Sequence, residues 1–215
     1  MAHRYLQQCR KIIAIGRNYA LHAAELGNKV PETPFWFLKP TTSIIHNGSG
    51  AAITFPKGCQ EMRHEIELGV FIGTAGKAIP AKDAMRHVGG YTVALDMTAR
   101  DWQEAAKKKG LPWTQAKGFD TSCPLGAVIP AEKVQDPHSL TLWCSVNGVE
   151  RQRGSTTDML VKIPELIEVC SQVHALEEGD LILTGTPAGV GAVHPGDLLA
   201  GGIVELGEEI EFRVV

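Results

Sequence analysis

The sequence predicts one β-rich α+β domain, in which short strands alternate with turns and are accompanied by a few short helices. The 215 residues include 23 glycines and 12 prolines, so turns are frequent and regular elements are short. The chain is 44% hydrophobic and 21% charged, which is ordinary for a globular protein with one sizeable core. No internal repeat, low-complexity linker or shift in composition divides it. We therefore predict a single domain over residues 1–215.

The first predicted elements are a buried strand, a capped helix and a second strand. The apolar run 11–15 predicts the first strand. Asn18 is expected to cap a helix over 19–26, which Gly27 would end. After a proline-bearing loop, residues 35–38 predict the second strand.

The middle of the chain predicts two helices with a strand between them. Residues 80–87 predict a short helix, and a pair of glycines opens a strand over 91–95. Thr98 is expected to cap a longer helix that runs to about Lys109 and stops at Gly110.

The strongest local signal in the last part of the chain is Asn147-Gly148, which lies between two runs of strand-forming residues and predicts a β-hairpin. The other predicted elements are, in chain order, a loop over 113–124 that carries Lys117, a helical stretch over 155–174 that Pro164 interrupts, a strand over 181–184, a glycine-rich loop over 185–196 and a final hairpin that ends at Val215.

Glu65 and Glu67 are the most informative polar residues of the sequence. Side chains two residues apart on a strand leave the same face, with Cα atoms roughly 6.5–7 Å apart. A third carboxylate, Asp96, ends another apolar run. Three carboxylates without a cysteine or histidine ligand are typical of a site for Mg²⁺ or Mn²⁺ rather than zinc. The alternative is a half-buried strand whose glutamates form a solvated outer face, with Ile66 and Leu68 on the inner face.

Two pairs of polar residues at helical spacing are candidates for catalysis or binding. His22 and Glu25 are three residues apart on the first predicted helix, where a carboxylate can orient an imidazole and raise its basicity. Arg100 and Gln103 share one face of the helix that follows Asp96. For each pair the alternative is an exposed pair on a helix surface, which contributes about a few tenths of a kcal/mol.

The motif content excludes several classes of enzyme. A glycine-rich loop that begins at Thr184 offers backbone N–H groups to an anion, but an ordinary surface loop is the alternative. Its glycine spacing matches neither a P-loop nor a dinucleotide-binding fingerprint. The sequence has no Gly-x-Ser-x-Gly elbow and no His-Glu-x-x-His motif, which argues against serine hydrolases and zincins.

Composition also restricts the partners and the compartment. The net charge of -3 gives no electrostatic case for nucleic acid. No apolar run approaches the roughly 18–20 residues of a membrane span, and the N-terminal segment has too few consecutive apolar residues for a signal peptide. Five scattered cysteines without a Cys-x-x-Cys motif indicate a reducing compartment. We therefore predict a cytoplasmic protein with no nucleic-acid or membrane partner.

Taken in order, the motifs resemble those of the fumarylacetoacetate hydrolase family, in its short single-domain branch of acylpyruvases and oxaloacetate decarboxylases. The motifs that carry the resemblance are Gly16-Arg17-Asn18-Tyr19 with His22 and Glu25, Phe37-Leu38-Lys39-Pro40, His64-Glu65-Ile66-Glu67-Leu68, Asp96-Met97-Thr98-Ala99-Arg100-Asp101, Gly110-Leu111-Pro112-Trp113, Lys117-Gly118-Phe119-Asp120 and Leu183-Thr184-Gly185-Thr186-Pro187. The resemblance extends from residue 11 to the end, which leaves residues 1–10 as an N-terminal extension.

This resemblance implies a fold, an assembly, a cofactor and a lid. The fold is the mixed β-roll of the family's C-terminal domain, and the assembly is a homodimer. The implied cofactor is Mg²⁺ or Mn²⁺, held by Glu65, Glu67 and Asp96. The helix over 18–27 is expected to be an active-site lid whose His22 and Glu25 position and deprotonate a water molecule.

The charge of such a site restricts its substrate. Three carboxylates around a divalent cation leave a formal charge of about −1, so a 2-oxo acid anion needs further cations. The candidate cations are Arg100, Lys117 and Lys39, of which Lys117 is also counted among the catalytic residues. Thr186 and Gln103 are expected to hydrogen-bond the substrate.

The main predicted function is hydrolysis of the C–C bond of acylpyruvates. In this reaction, water activated by His22 and Glu25 attacks the distal ketone and pyruvate leaves. The same site would serve decarboxylation or keto–enol tautomerisation of oxaloacetate, which need no attacking water. Isomerisation or decarboxylation of 2-hydroxydienoates is a further alternative. Outside enzymes, the alternative is a binding protein that keeps the fold without activity.

Overall fold

Short strands dominate the computed structural model of the protein, which describes residues 5, 7–25, 27 and 30–215. The strands, β1 to β15 in chain order, are Ile12–Gly16, Phe35–Lys39, Ile44–His46, Met62–His64, Ile66–Ile72, Val88–Leu95, Thr98–Ala99, Cys123–Leu125, Ile129–Pro130, Thr141–Val146, Val149–Ser155, Leu181–Leu183, Gly191–Val193, Leu198–Ile203 and Glu208–Arg213. The α-helices, α1 to α5, are Ala20–Glu25, Ala81–Ala84, Arg100–Lys109, Thr114–Lys117 and Ile163–Val173. Within the described residues, none of the helices has the length and apolar character needed to cross a membrane.

The described strands form three sheets. The largest has the order β2-β1-β12-β5-β6-β8-β3, and β9 pairs with β6 beside it. It is a mixed sheet, because β1 pairs with β12 and β3 with β8 in parallel while β5 and β6 are antiparallel. A four-stranded antiparallel sheet has the order β11-β10-β14-β15, and a small sheet has the order β13-β4-β7. The predicted β-rich α+β fold with mixed sheets and short helices is confirmed.

Several predicted elements have the expected local geometry. Asn147 and Gly148 have φ angles of 52° and 77°, which suit a tight hairpin turn between β10 and β11. Gly110 ends α3 in the left-handed conformation, with φ 65°. Pro164 lies in the first turn of α5, where its missing N–H costs nothing.

The core explains why the glutamate strand has no solvated face. Strand β5 is buried along its whole length because it lies between β12 and β6. Ile66 and Leu68 belong to the main core cluster, which includes residues of the four-stranded sheet, whereas Phe71 belongs to a second cluster with residues of β1 and β12. Glu65 and Glu67 are only 7% and 1% exposed. The alternative of a wet outer face is therefore wrong.

Two predicted helix caps are wrong, because the side chains of both residues form hydrogen bonds with groups that are distant in the chain. The Asn18 Oδ1, the atom that would cap a helix, accepts the Val161 N–H at 2.8 Å, and its Nδ2 donates to the carbonyls of Val161 and Thr184, at 3.0 and 2.9 Å. Thr98 lies in β7, and its hydroxyl donates to Glu65 Oε1 at 2.9 Å. A hydroxyl or amide side chain that is bound to another group is not available to cap a helix.

Two further segments differ from their predictions. Lys117 lies at the end of the short helix α4 rather than in a loop. The predicted loop over 185–196 contains the strand β13. Leu26, near the end of the predicted lid, and most of the first six residues of the predicted extension lie outside the described residues. Within that extension, the Tyr5 ring stacks on Phe71 with centroids 5.9 Å apart.

Candidate active site

The three predicted metal ligands meet where the chain passes from the large sheet into the small one. Glu65 separates β4 from β5, and Asp96 follows β6 directly. The pairing of these strands continues into a hydrogen bond of 2.9 Å from the Asp96 N–H to the Glu65 carbonyl. Glu67 lies two residues further along β5. One carboxylate oxygen from each of the three residues lies within 4.8 Å of the other two, so the predicted triad is assembled.

Three buried cations surround the triad. Lys117 Nζ donates to Glu65 Oε2 and Asp96 Oδ2, at 2.7 and 2.6 Å. Lys39 Nζ donates to Asp96 Oδ1 at 2.7 Å and to the Lys117 carbonyl. Arg100 Nη2 donates to Glu65 Oε1 at 3.1 Å. Because buried charges persist only when they are paired, the three carboxylates and three cations form one interdependent cluster.

The donor set fits a divalent cation. Among the described residues Glu67 makes no ion pair, and its Oε2 accepts the Gly185 N–H at 2.7 Å. Burial, together with the Asp96 and Glu65 charges, raises the pKa of Glu67 well above its ordinary value. Glu67 is therefore costly to ionise beside the other two carboxylates. A cation bound among the three would lower that cost. With oxygen donors only, Mg²⁺ or Mn²⁺ fits the triad.

Lys117 is the charged group best placed to serve both the triad and a ligand. Burial lowers the pKa of Lys117, but the Asp96 and Glu65 carboxylates outweigh it and raise that pKa, so the ammonium stays charged. An ammonium has three N–H donors, and two of them bind the carboxylates. The third has no partner among the described residues. It is available to an oxygen in the adjoining cavity, which Lys117 lines.

Helix α1, the predicted lid, brings His22 to the same cavity. His22 is 5% exposed, and its Nδ1 makes no hydrogen bond within the described structure. Burial lowers the pKa of His22 more than the nearby Glu65 and Glu25 charges raise it, so the imidazole is neutral near pH 7 and can accept a proton.

The second member of the predicted pair, Glu25, has a stronger contact elsewhere. Its Oε2 lies 3.6 Å from His22 Nδ1, which is too long for a hydrogen bond. Both of its carboxylate oxygens accept the Gly189 N–H, at 3.2 and 3.1 Å. Glu25 therefore ties the lid to the glycine-rich loop as well as lying beside the imidazole.

Arg100 and Gln103 lie together at the start of α3. Arg100 Nη1 donates to Gln103 Oε1 at 2.7 Å, and the two residues are 5% and 3% exposed. The alternative of an exposed helix pair is wrong for them. Thr186 already donates its hydroxyl hydrogen to the Ile66 carbonyl at 2.7 Å. Its predicted contact with a substrate stays a prediction.

Most of the predicted site residues line one buried cavity of about 40 Å³. Those that line it are His22, Glu65, Glu67, Asp96, Arg100, Gln103, Lys117 and Thr186. Lys39 and Glu25 do not, since Lys39 is held by Asp96 and the Lys117 carbonyl and Glu25 by Gly189. Two larger surface grooves, of about 770 and 1020 Å³, contain none of the triad.

Gln152 is a residue of the site that the sequence does not reveal. It is 0% exposed, and its Nε2 donates to Thr186 Oγ1 at 2.8 Å and to the Pro187 carbonyl at 2.9 Å. Its Oε1 accepts the Ile66 N–H at 3.0 Å and lies 2.8 Å from His64 Nδ1. In the sequence it lies between two arginines, on a strand whose polar residues predict exposure to solvent. No local pattern therefore identifies Gln152 as a buried residue.

The chain is similar to known proteins along almost its whole length. Residues 11–215 match the family described as fumarylacetoacetate (FAA) hydrolase C-terminal. The chain is 49% identical over 213 residues to a protein named oxaloacetate decarboxylase, mitochondrial, from Dictyostelium discoideum, covering 99% of this chain and 97% of that protein. It is 51% identical over 212 residues to oxaloacetate tautomerase FAHD1, mitochondrial, from Oryza sativa subsp. japonica, covering 98% and 92%.

A solved structure extends the comparison to three dimensions. It is the fumarylpyruvate hydrolase from Pseudomonas aeruginosa in complex with Mn²⁺ and pyruvate, with a TM-score of 0.91 and 40% identity. The match covers 96% of this chain and 90% of that one. The relatives thus include enzymes of small keto acids. On the family match, the two relatives and this structure, the chain belongs to the fumarylacetoacetate hydrolase family.

Proposed function

We propose that this protein is a metal-dependent enzyme of oxaloacetate, which interconverts its keto and enol forms and has decarboxylation as the closely related reaction. The observation that carries this proposal is the charge of the site. The three buried carboxylates are matched in number by Lys117, Lys39 and Arg100, which pair with Glu65 and Asp96. A bound divalent ion would therefore leave a formal charge of about +2, which matches a dianion such as oxaloacetate.

The chain's own residues suit a proton transfer between carbon and oxygen. A divalent ion held by Glu65, Glu67 and Asp96 would act as a Lewis acid that polarises the 2-oxo group. His22 is neutral and buried over the cavity, where it can take a proton from C3 of the substrate. The free N–H of Lys117 can donate to the C2 oxygen as negative charge develops there. Tautomerisation ends when a proton is placed on that oxygen, whereas decarboxylation breaks the C3–C4 bond instead.

Hydrolysis of acylpyruvates, the main function predicted from the sequence, is less well supported than the oxaloacetate alternative. The two relatives above are named for reactions of oxaloacetate. Hydrolysis stays a second candidate for two reasons. His22 lies beside Glu25 on the lid, and the similar solved structure is that of a fumarylpyruvate hydrolase.

The test compares three reactions of one enzyme preparation with Mg²⁺ and then with Mn²⁺. Enol-to-keto conversion of oxaloacetate is followed by its ultraviolet absorbance, pyruvate release by a coupled assay, and acetylpyruvate loss by absorbance. We expect tautomerisation to have the largest kcat/KM, and a chelator to abolish it. Blanks contain the metal without protein, since metal ions alone act on oxaloacetate. A larger kcat/KM for acetylpyruvate would reject the proposal in favour of hydrolysis.

We also propose that the protein is a homodimer. Leu38 and Leu111 are 43% and 54% exposed, and both line the groove of about 770 Å³. Apolar side chains gathered at one exposed groove are typical of a surface that another chain covers. Light scattering after size exclusion should give a mass near twice 23.2 kDa. A mass of one chain at micromolar concentration would contradict this assembly.

The compartment is a separate proposal, and we retain the cytoplasm. It is supported by the reduced state of the cysteines, of which Cys59, Cys123, Cys144 and Cys170 are buried and free. The two relatives have the word mitochondrial in their names, so fractionation of cells of the source organism should assay both compartments. Recovery with the mitochondrial matrix would reject a cytoplasmic location.

A further inference from the structure

Arg17 is a cation of the cavity wall for which the reaction described above has no role. It follows β1 and precedes the lid helix, and it lines the same cavity as the triad. Resting on the proposed function, we infer that Arg17 binds the distal carboxylate of a dianionic 2-oxo acid. It would thereby determine the preference of the site for diacids over monoacids.

The first support is that the charge of Arg17 is available. The other cations that line the cavity are engaged by carboxylates: Lys117 by Glu65 and Asp96, Arg100 by Glu65 and Lys107 by Glu104. Within the described part of the chain, Arg17 has no ion pair and no side-chain hydrogen bond. Its guanidinium makes a cation–π contact with the Phe35 ring, whose centroid lies 5.6 Å from Cζ. A guanidinium in a partly buried wall without an anionic partner is suited to receive one from a ligand.

The second support is the position of Arg17 relative to Lys117. Phe35 and Phe37 are two residues apart on β2, so their side chains leave the same face of the strand roughly 6.5–7 Å apart. Arg17 lies over the Phe35 ring, and Lys117 lies over the Phe37 ring with Nζ 5.2 Å from its centroid. Trp113 contacts both rings, with centroid distances of 5.8 Å. The two cations therefore lie over neighbouring rings of one aromatic wall, and both line the same cavity.

The third support is the backbone that holds Arg17. Its φ is 57°, in the left-handed region that residues other than glycine seldom adopt. The preceding Gly16 lies against the Phe35 ring so closely that a Cβ there would be 2.3 Å from Cζ. Residues kept in such conformations cluster at functional sites, because the surrounding structure must enforce them. Here the enforced conformation belongs to a residue of the cavity wall.

The test uses two substrates that share the reacting end. Oxaloacetate has two carboxylates, and its C4 methyl ester keeps the 1-carboxylate and the 2-oxo group but lacks the distal charge. Tautomerisation of both is measured with the Mg²⁺ enzyme. We expect Arg17→Met to raise KM for oxaloacetate about 10- to 100-fold, which is typical for loss of a charged hydrogen bond. KM for the ester should change less than about threefold, and kcat for either substrate should change little.

Controls separate this role from a structural one and from the proposed function itself. Arg17→Lys keeps the charge but not the bidentate guanidinium. Its KM for oxaloacetate should therefore lie between those of the wild type and Arg17→Met. Arg86→Met removes an exposed arginine that pairs with Asp83, and should match the wild type. Equal rises in KM for both substrates, or no rise at all, would overturn the assignment of Arg17. Absence of tautomerase activity in the wild type would instead overturn the proposed function.

Discussion

Glu67 is the carboxylate on which metal binding depends most directly. It lacks a cationic partner among the described residues, whereas Glu65 and Asp96 are each held by two cations. Burial and its two neighbours raise the pKa of Glu67, so without metal its protonated form is favoured. A glutamine at this position imitates that neutral form but provides a much poorer metal ligand.

We therefore predict that Glu67→Gln leaves the fold intact and removes the response to metal. Mg²⁺ should raise the Tm of the wild type, because a ligand that binds only the native state stabilises it. The Tm of Glu67→Gln should equal that of the metal-free wild type and should not rise with Mg²⁺, and its metal-dependent turnover should be lost. Glu150→Gln, at an exposed hairpin position, is the control that keeps both properties. A normal Mg²⁺ shift in Glu67→Gln would exclude this ligand set.

His22 gives a prediction for the pH dependence of the reaction. A general base acts in its neutral form, and burial lowers the pKa of His22 below its ordinary value of 6.5. A bound metal ion would lower this pKa further, so the direction of the shift would be the same in the metal-bound enzyme. Hence kcat/KM should decline as pH falls, with the midpoint of this acidic limb below pH 6.5.

The accompanying variants identify the group that titrates. His22→Ala should reduce kcat/KM at neutral pH by at least ~10²-fold and remove the acidic limb attributed to the base. His194→Ala changes an exposed histidine and should keep the profile of the wild type. If the acidic limb persists unchanged in His22→Ala, another group is the base.

At the scale of elements, helix α1, the predicted lid, is joined to the glycine-rich loop. Glu25 on α1 accepts the Gly189 N–H, and Gly189 has a φ of 95°. A Cβ at Gly189 would lie 2.0 Å from the carbonyl oxygen of Arg151. The loop therefore follows the hairpin strand β11 at a distance that only glycine permits, and this packing sets where the lid is attached.

We predict that Gly189→Ala and Gly196→Ala differ in activity although their backbone strain is similar. Gly196 has a φ of 98°, but a Cβ there would meet nothing within 4 Å. Both variants should lose roughly 1–3 kcal/mol from the unfavourable φ. Only Gly189→Ala must also displace the loop, so its Tm should fall further and its kcat/KM should fall at least ~10-fold. Equal kcat/KM values in the two variants would show that the position of the loop does not affect the lid.

At the scale of the whole molecule, Gln152 joins the four-stranded sheet to the catalytic one. It lies on β11, yet its four polar contacts are to the segments 64–66 and 186–187 that bear the site. The main core cluster likewise combines apolar residues of both sheets. The two sheets are therefore expected to unfold together, as a single domain does.

We predict one cooperative thermal transition for the wild type and for Gln152→Ala. The variant leaves the Ile66 N–H and other buried groups without partners, which should cost about 1–3 kcal/mol. For a chain of this length the Tm should fall by roughly 2–4 °C per kcal/mol, as measured by calorimetry. Arg153→Ala, at the exposed neighbouring position paired with Glu150, should change stability by less than about 0.5 kcal/mol. Two separate transitions in the wild type would contradict the single domain.

Local patterns were sufficient for much of the fold. The hairpin at Asn147-Gly148 follows from two residues that tolerate positive φ, and the end of α3 follows from Gly110. Prediction of the caps failed because Asn18 and Thr98 have partners that are distant in the chain, such as Val161 and Glu65. The alternation of polar and apolar residues along β5 identifies the two faces of the strand. It does not show what covers each face, and both are buried.

What the sequence by itself determined is the family of this protein and the residue types of its candidate site. The ordered motifs identify the family, and the spacing of Glu65 and Glu67 with Asp96 identifies a candidate metal triad, because ligand type and strand periodicity are local properties. Only the tertiary structure decided how the charges are arranged. It pairs Lys117 and Lys39 with the triad, holds Gln152 behind it and leaves Arg17 without an anionic partner within the described residues. The physical reason is that Coulombic pairing and burial depend on distances across the fold, which no local pattern records.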